Sequence, residues 1–584
     1  MGQHISSAEK PNTKTHNEKE IQFGNALEVQ KYFQKRTIGH FTPLELISYK
    51  NKLNHDHLDD MITKEEIIQL LHLPDDNVIL SNMIFNMVHS LCNFPFLGER
   101  IWDITAGNLL TCIILLDNDR CQRFIGSKSY DQIKLLFILL CLSTNNSSGK
   151  PLSASNSKLR EKSENISTTS IYSQEIGYNL TDILQSYNGI SIDDLSVPAL
   201  SLSECFTWTL IMSIKCPTAN CKILPNETIY NSWNEYQKAS LNILRSMDSS
   251  IVSNLDDYRI SFTQFENVFT SVVPNFTHPL ENIMNHLLYM DKDLINHPVM
   301  EIPKSKLMSE SLLAQLSTTL PKELFISKLQ KLYIGRQSGF SMRSLQSKCF
   351  KWLAPTILLV SGLIIPNDEE YNNPRFKRFL QEFPKLNDNE QSLEPCHSYK
   401  KKISFAVYID EPWRVTNKEF FGDLNSRIIE LSPRQDIFKS LKSHELIYFN
   451  TIGCGIGIGD KQPHVSNGAN SRKYQPGNVS LTLESTLEFA VFRHVGHGGA
   501  FSPSELLTKR GTEEESFEIK FIIQDVEVWG CGGEKELEEQ MKQLAWEEAE
   551  AKRRQQVNLK SISEDRALLE MVGLVGQHQS GGSM

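Results

Sequence analysis

The sequence predicts an α+β chain with a helical amino-terminal half, a β-sandwich with flanking helices after about residue 325, and a carboxy-terminal helix. Three observations carry this. Up to about residue 320, apolar residues recur at helical spacing behind Ser or Thr caps. Beyond it, short β-branched and aromatic runs alternate with turn-rich insertions. Finally, "EKELEEQMKQLAWEEAEAKRRQQVNL" (534–559) is charged throughout and free of Gly and Pro. The expected divisions are a flexible arm over 1–40, helical regions over 41–142 and 176–324 joined by a linker over 143–175, the sandwich over 325–532, and tail helices over 533–584.

At 584 residues, with 40% hydrophobic and 22% charged residues, the chain has the composition of a folded multi-domain protein. A net charge of −10 leaves no excess of cations to neutralise phosphates, so no nucleic-acid partner is expected. The longest apolar runs, 133–142 and 353–365, fall short of the roughly 20 residues that cross a bilayer. The eleven cysteines are scattered, and the nearest pair, Cys216 and Cys221, lacks zinc-knuckle or redox spacing. Reduced thiols in a cytoplasmic protein are the expectation.

"MGQHIS" at the start fits the N-myristoylation pattern: Gly2 supplies an amine with no side chain beside it, and Ser6 supplies the hydroxyl. A single acyl chain holds a membrane only marginally. Lys10, Lys14 and Lys19 are offset by Glu9, Glu18 and Glu20, so the arm carries no polybasic second signal. The second attachment is therefore expected to be a protein already at the membrane.

From Thr42 the first helix, "TPLELISYKNKL", is followed by "MITKEEIIQLLHL", in which Thr63 and Glu66 form a capping box. "SNMIFNMVHSLC" and "DITAGNLLTCIILL" repeat the arrangement, and "DDYRISFTQFENVF" follows at 256–269. Three Ile–Ser/Thr pairs precede helices: Ile62-Thr63, Ile104-Thr105 and Ile260-Ser261. That is the layout of EF-hands, whose loop isoleucines bridge two hands; unrelated helical hairpins fit the same residues. The calcium positions are occupied by His55, Asp60 and Glu66, by Leu97, Trp102 and Asn108, and by Ser253, Tyr258 and Gln264. None provides the oxygen cage, so these would be calcium-silent loops. Residues 143–173 are Ser/Asn-rich and read as a linker. "SECFTWTLIMSIK" and "SWNEYQKASLNILRSM" read as helices opened by serine caps, and "HPLENIMNHLLYM" as a further helix.

The expected strands are "TILLVSGLII", "ISFAVYI", "SRIIEL", "ELIYFN", "CGIGIG", "VSLTLES" and "FEIKFIIQDVEVW". "IPNDEEYNNPRFKR" and "KQPHVSNGANSRKYQPG" read as turn-rich insertions. In "TIGCGIGIGD" the glycines alternate: Gly453, Gly455, Gly457 and Gly459. No Lys-Ser or Lys-Thr follows, and no helix follows either, so neither a Walker loop nor a dinucleotide turn is present. Period two places the four on one strand face, with Cys454, Ile456 and Ile458 on the other, and lets another backbone, helix or partner approach closely.

The run "LYIGRQSGFSMRSLQSKCFKWLAPTILLV" (332–360), "FAVYIDEPWR" (405–414), "FFGD" (420–423), the glycine strand, and "FIIQDVEVWG" (521–530) together resemble the TLDc domain family over about 325–532. The silent EF-like half, Gly2 and the long insertions look most like a fungal group of that family with a genetic link to telomere capping. The resemblance implies a curved β-sandwich without catalytic turnover. It implies partners among the subunits of the vacuolar-type proton ATPase, whose assembly related proteins influence, and, in other members, a role in oxidative-stress resistance. One departure is Phe405-Ala406-Val407-Tyr408, where the family often has FGAY.

Candidate chemistry in the second half is sparse. His494 and His497 in "RHVGHGGAF" have metal-like spacing, but the flanking glycines disfavour a helix and no third ligand stands nearby, so neither metal nor cofactor is expected. Cys454 and Cys531 lie beside glycines without an adjacent cation. Glu527 and Trp529 share a strand face, as a core tryptophan with a hydrogen-bonded glutamate or as a partner contact. GTPase activation, which the resemblance attaches to members that carry a separate arginine-finger module, is not expected of these residues. Leu537, Met541 and Leu544 form a narrow stripe on the tail helix, and "EDRALLEMVGLVG" (564–576) reads as a second small helix. The sequence therefore points to a non-enzymatic, lipid-tethered adaptor on the cytosolic face of the vacuolar membrane. The competing class is a redox or hydrolytic enzyme using Cys454, His494 or His497.

Overall fold

Side-chain caps set the register of the amino-terminal helices in the computed structural model. It describes residues 22–571 except 98–102, 126–130, 146–177, 180–191, 193, 217–223, 253, 289–304, 322–323, 325–328, 366–370, 387–400, 443–444, 466–471, 497–498, 510–515 and 532–533. Asn25 caps α1 (Ala26–Ile38), and Thr42 closes a capping box with Glu45 at the start of α2 (Pro43–Leu53). Thr63 and Glu66 repeat the box at α3 (Lys64–Leu70). Asn77 caps α4 (Val78–Cys92), and Thr105 caps α5 (Ala106–Leu116), which is buried along its whole length. After α5 the chain turns into α6 (Asn118–Ile125) and α7 (Gln132–Asn145).

Of the three isoleucines that precede caps, Ile62 and Ile104 meet each other, whereas Ile260 meets a valine that the EF-hand layout did not include. The Ile62 N–H donates to the Ile104 carbonyl at 2.9 Å, and Ile260 pairs with Val197 in a two-stranded ribbon. In the first loop the imidazole of His55 lies between two carboxylates, 3.6 Å from Asp60 and 3.3 Å from Glu66. A side chain of this protein thus fills the space between the loop's acids.

The second helical region consists of α8 (Ala199–Lys215), α9 (Trp233–Met247), α10 (Phe262–Ser271), α11 (His278–His286) and α12 (Glu310–Ser317). Two expectations are corrected here. α8 starts after Pro198, so Ser203 lies inside the helix and is buried, its carbonyl accepting from Thr207. Ser232 precedes α9 but makes no side-chain cap bond.

The second half is built on one large antiparallel sheet. Its strands are β1 (Gln330–Ile334), β2 (Thr356–Ile364), β3 (Lys402–Ile409), β4 (Arg427–Ser432), β5 (Asp436–Lys439), β6 (Ile447–Asn450), β7 (Gly455–Ile458), β8 (Val479–Leu483), β9 (Phe489–His494) and β10 (Phe517–Gly530). The order is β6-β7-β8-β9-β10-β2-β3-β4-β5, with β1 also paired to β10. The sheet curls over on itself. Phe405 on β3 and Phe438 on β5 both meet Phe492 on β9, at 4.7 and 5.2 Å between ring centroids. The 500–502 segment closes edge strand β5 through the bonds Leu441 N–H to Ala500 O and Ser502 N–H to Lys439 O. Bridging Phe421 to Ile447 covers edge strand β6. Both edges are thereby protected from pairing with other chains.

The outer face is covered twice. Ile357, Leu359, Ala406, Tyr408, Ile429, Leu431 and Ile437 belong to the same core as the amino-terminal helices. Gln315 donates to the Leu431 carbonyl at 2.7 Å, Arg245 to the Pro433 carbonyl at 3.3 Å, and the Gln435 amide to Thr318 and Thr319. Toward the other end, α13 (Pro374–Glu382) lays Phe376 and Phe379 against Phe489, Val491 and Tyr474.

Several sequence expectations need revision. The stretch read as a turn-rich insertion contains α13, and the second such stretch contains a hairpin, Lys461–Val465 with Arg472–Gln475. β9 was not expected at all. The tail forms one continuous helix, α14 (Glu534–Met571), rather than two, because no Gly or Pro interrupts the chain between 534 and 571.

Candidate docking surface

The glycine run is narrower as a strand than the alternation suggests. Residues 451–454 form the turn of the β6–β7 hairpin, so Gly453 stands outside the strand, and only 455–458 pair. Gly453, Gly455 and Gly459 have φ of +108°, +74° and +82°, a region that side chains rarely adopt. What approaches the glycines is this chain itself. A Cβ on Gly455 would lie 2.1 Å from the Leu483 carbonyl. One on Gly457 would lie 2.2 Å from the Tyr448 ring and 2.7 Å from the Asp460 carboxylate, and one on Gly459 would lie 2.4 Å from the Val479 carbonyl. Asp460 is thereby packed into the fold, accepting from Thr482 at 2.6 Å, and burial raises its carboxyl to about 6. Gly457→Ala is expected to lower stability by about 1–3 kcal/mol in urea unfolding, since the Tyr448 ring must move to admit a methyl group.

Glu527 and Trp529 also point inward. Both are buried, and Trp529 Nε1 donates to Glu527 Oε2 at 3.1 Å. The same carboxylate accepts from Ser305 Oγ at 2.6 Å, from the Leu307 N–H at 3.1 Å and from the Met308 N–H at 3.4 Å. The pair fastens the segment before α12 onto β10.

The candidate nucleophiles and bases are equally enclosed. Cys454 is buried, which pushes its thiol up to about 11 despite Arg472 nearby. Cys531 is buried with Sγ 3.4 Å from the Pro355 carbonyl. His494 Nε2 accepts the Ser504 N–H at 2.9 Å, and its ring stacks on Phe517. These groups lack both the access and, for Cys454, the thiolate character that attack on a substrate needs. His497 and Gly2 lie outside the described residues.

α14 is the opposite case. At about 1.5 Å per residue, its 38 residues extend roughly 57 Å. The pairs Glu538–Lys542 and Glu550–Arg554 brace it along its own surface, and Lys351 pins it to the sandwich through Glu547 at 2.8 Å. Met541 is 51% exposed and Trp546 66% exposed. Leu537 and Leu544 lie on the same helix. Trp546 was missed by the sequence reading because it falls off the 537–541–544 stripe. Among the described residues, no helix is long and apolar enough to cross a membrane.

An antiparallel sheet curled on itself, whose last strand carries the Glu-Val-Trp-Gly element, marks a TLDc-domain protein, and residues 302–532 match the TLDc domain. Along its entire length the chain is 48% identical to "Restriction of telomere capping protein 5" of Saccharomyces cerevisiae, covering 100% of both proteins. The proteins of that name from Vanderwaltozyma polyspora and Kluyveromyces lactis are 46% and 44% identical, again over 100% of each chain. The chain belongs to the restriction of telomere capping protein 5 family.

Proposed function

We propose that this protein is a non-enzymatic, membrane-tethered TLDc regulator that binds the vacuolar proton-pumping ATPase and modulates its assembly state. The observation that carries this reading is α14: a helix about 57 Å long, with exposed Met541 and Trp546, beside a sandwich whose edge strands β5 and β6 and outer face are covered by its own chain. A long helix that presents Met541 and Trp546 to the outside is suited to insertion between partner subunits. Burial of Cys454 and His494 counts against the redox or hydrolytic alternative. Myristoylation of Gly2 supplies one of two attachments and the pump the other. The effect on telomere capping in the relatives' name is then indirect, arising through the membrane partner rather than through DNA.

The test is co-purification from vacuolar membranes. Deleting 534–584 is expected to reduce recovery of pump subunits at least about tenfold, the equivalent of roughly 1.4 kcal/mol. Gly2→Ala is expected to move the protein toward the soluble fraction while pump binding in detergent persists. Undiminished pump recovery without the tail would overturn the helix as the docking element.

A further inference from the structure

Helix α11 docks into the corner where α5 turns into α6, and carboxylates crowd that corner. Glu281, with its side chain 19% exposed, lies one turn before Asn285 on the same face of α11, and Asp117 and Asp119 of the corner act on its carboxylate by like-charge repulsion. Asn285, one turn further along α11, donates to Asp117 at 3.1 Å. The cations of the corner lie on α6: Arg120, which already holds Glu45 of α2 at 2.7 Å and Asp117 at 3.4 Å, and Arg123, whose Nε donates to the Asp119 carbonyl at 3.1 Å. We propose that this contact is proton-gated: α11 grips the α5–α6 corner more tightly when the Glu281 carboxylate takes up a proton and stops repelling Asp117 and Asp119.

Other charged groups around α11 leave Glu281 as the switch. On α11 itself, His278 Nδ1 stands 3.9 Å from Glu281, while His286 at the far end contacts Lys52 of α2 at 3.1 Å. On α8, Glu204 accepts from Asn77 and Gln237, and Lys215 is held by Glu310 at 2.8 Å. α7 carries Asp131, which caps its own first turn, and Lys134. Among the described residues, no guanidinium or ammonium forms an ion pair with Glu281. Burial first, then Asp117 and Asp119, raise its carboxyl to about 7. The folded state therefore binds this proton more tightly than the unfolded chain does. The stabilisation is present at acidic pH and is lost as pH rises through about 7.

The experiment is hydrogen exchange of the full chain between pH 6 and 8, corrected for intrinsic exchange, read in peptides covering 275–288. Wild type is expected to lose about tenfold protection between pH 6 and 8. Glu281→Gln, which keeps the size and polarity of the side chain but not its charge, is expected to hold its pH 6 protection throughout. Asp119→Asn, which removes one repelling charge, lowers the pH at which Glu281 gives up its proton, so its transition should move to lower pH than in wild type and leave a smaller loss of protection between pH 6 and 8. A flat wild-type profile, a profile unchanged in Asp119→Asn, or a pH dependence that survives in Glu281→Gln and so belongs to His278 or His286, would overturn the proposal.

Discussion

Trp529→Ala will destabilise the full chain by about 3–5 kcal/mol, the cost of emptying a fully buried aromatic site. Two effects add here. The indole is entirely buried in the core shared by the sheet and the amino-terminal helices, so its loss opens a cavity on both sides of that seam. Its Nε1–H is also one of the donors to Glu527, the carboxylate that holds Ser305, Leu307 and Met308. Trp529→Phe should recover most of the volume but not the hydrogen bond, and should lose about 1–3 kcal/mol. Glu527→Gln places an amide N–H₂ among donors and should fall in the same range while leaving the core filled. Urea unfolding of the three variants checks the order. A Trp529→Ala midpoint within about 0.5 kcal/mol of wild type, the range of an ordinary surface change, would show that the indole does not tie the two halves together.

What was legible in the sequence was whatever local chemistry decides. Thr63–Glu66 and Ser261–Gln264 announce helix starts because a side chain and a backbone amide three residues away satisfy each other without help from the rest of the fold. Ile62 and Ile260 were recognisable by their place immediately before those caps. The alternating runs that became β2, β3 and β10 are long enough for period two to show. β9, "FAVFRH", is only six residues long, ends in Arg-His and runs straight into a glycine-rich segment, so its alternation is too short to stand out, and Pro374 at the start of α13 looks like a turn. The limits of the glycine run show where local reasoning stops. Alternation identifies a bare strand face, but only the three-dimensional register reveals that Tyr448 and the carbonyls of Leu483 and Val479 occupy it. Glu527 and Trp529 were distinctive by spacing, yet their partners at 305–308 lie more than two hundred residues away. The exposure of Trp546 likewise depends on what α14 does not touch.

Arg434→Ala will cost a comparable amount, about 3–5 kcal/mol near pH 8, and the loss will shrink on acidification. Arg434 is fully buried between Glu430, at 3.7 Å, and Asp436, at 3.3 Å. Asp436 also accepts from Ser504 Oγ at 2.6 Å and from the Ile437 N–H at 2.8 Å. Burial raises the Asp436 carboxyl to about 6, and Arg434 is the strongest influence opposing that rise. In wild type the folded state therefore retains this proton better than the unfolded chain, and stability declines as pH climbs from about 4 to 6, then levels. Without the guanidinium, Asp436 titrates higher still, so the decline continues past pH 6 and the deficit of the variant widens toward pH 8. At pH 5 the proton neutralises Asp436, and the deficit should fall to roughly half. Combining Arg434→Met with Glu430→Gln and Asp436→Asn removes every charge at once and should recover most of the loss at pH 8, because an uncompensated buried charge costs more than the ion network contributes. A deficit of equal size at pH 5 and pH 8 would mean that packing, rather than charge, makes Arg434 indispensable at this seam.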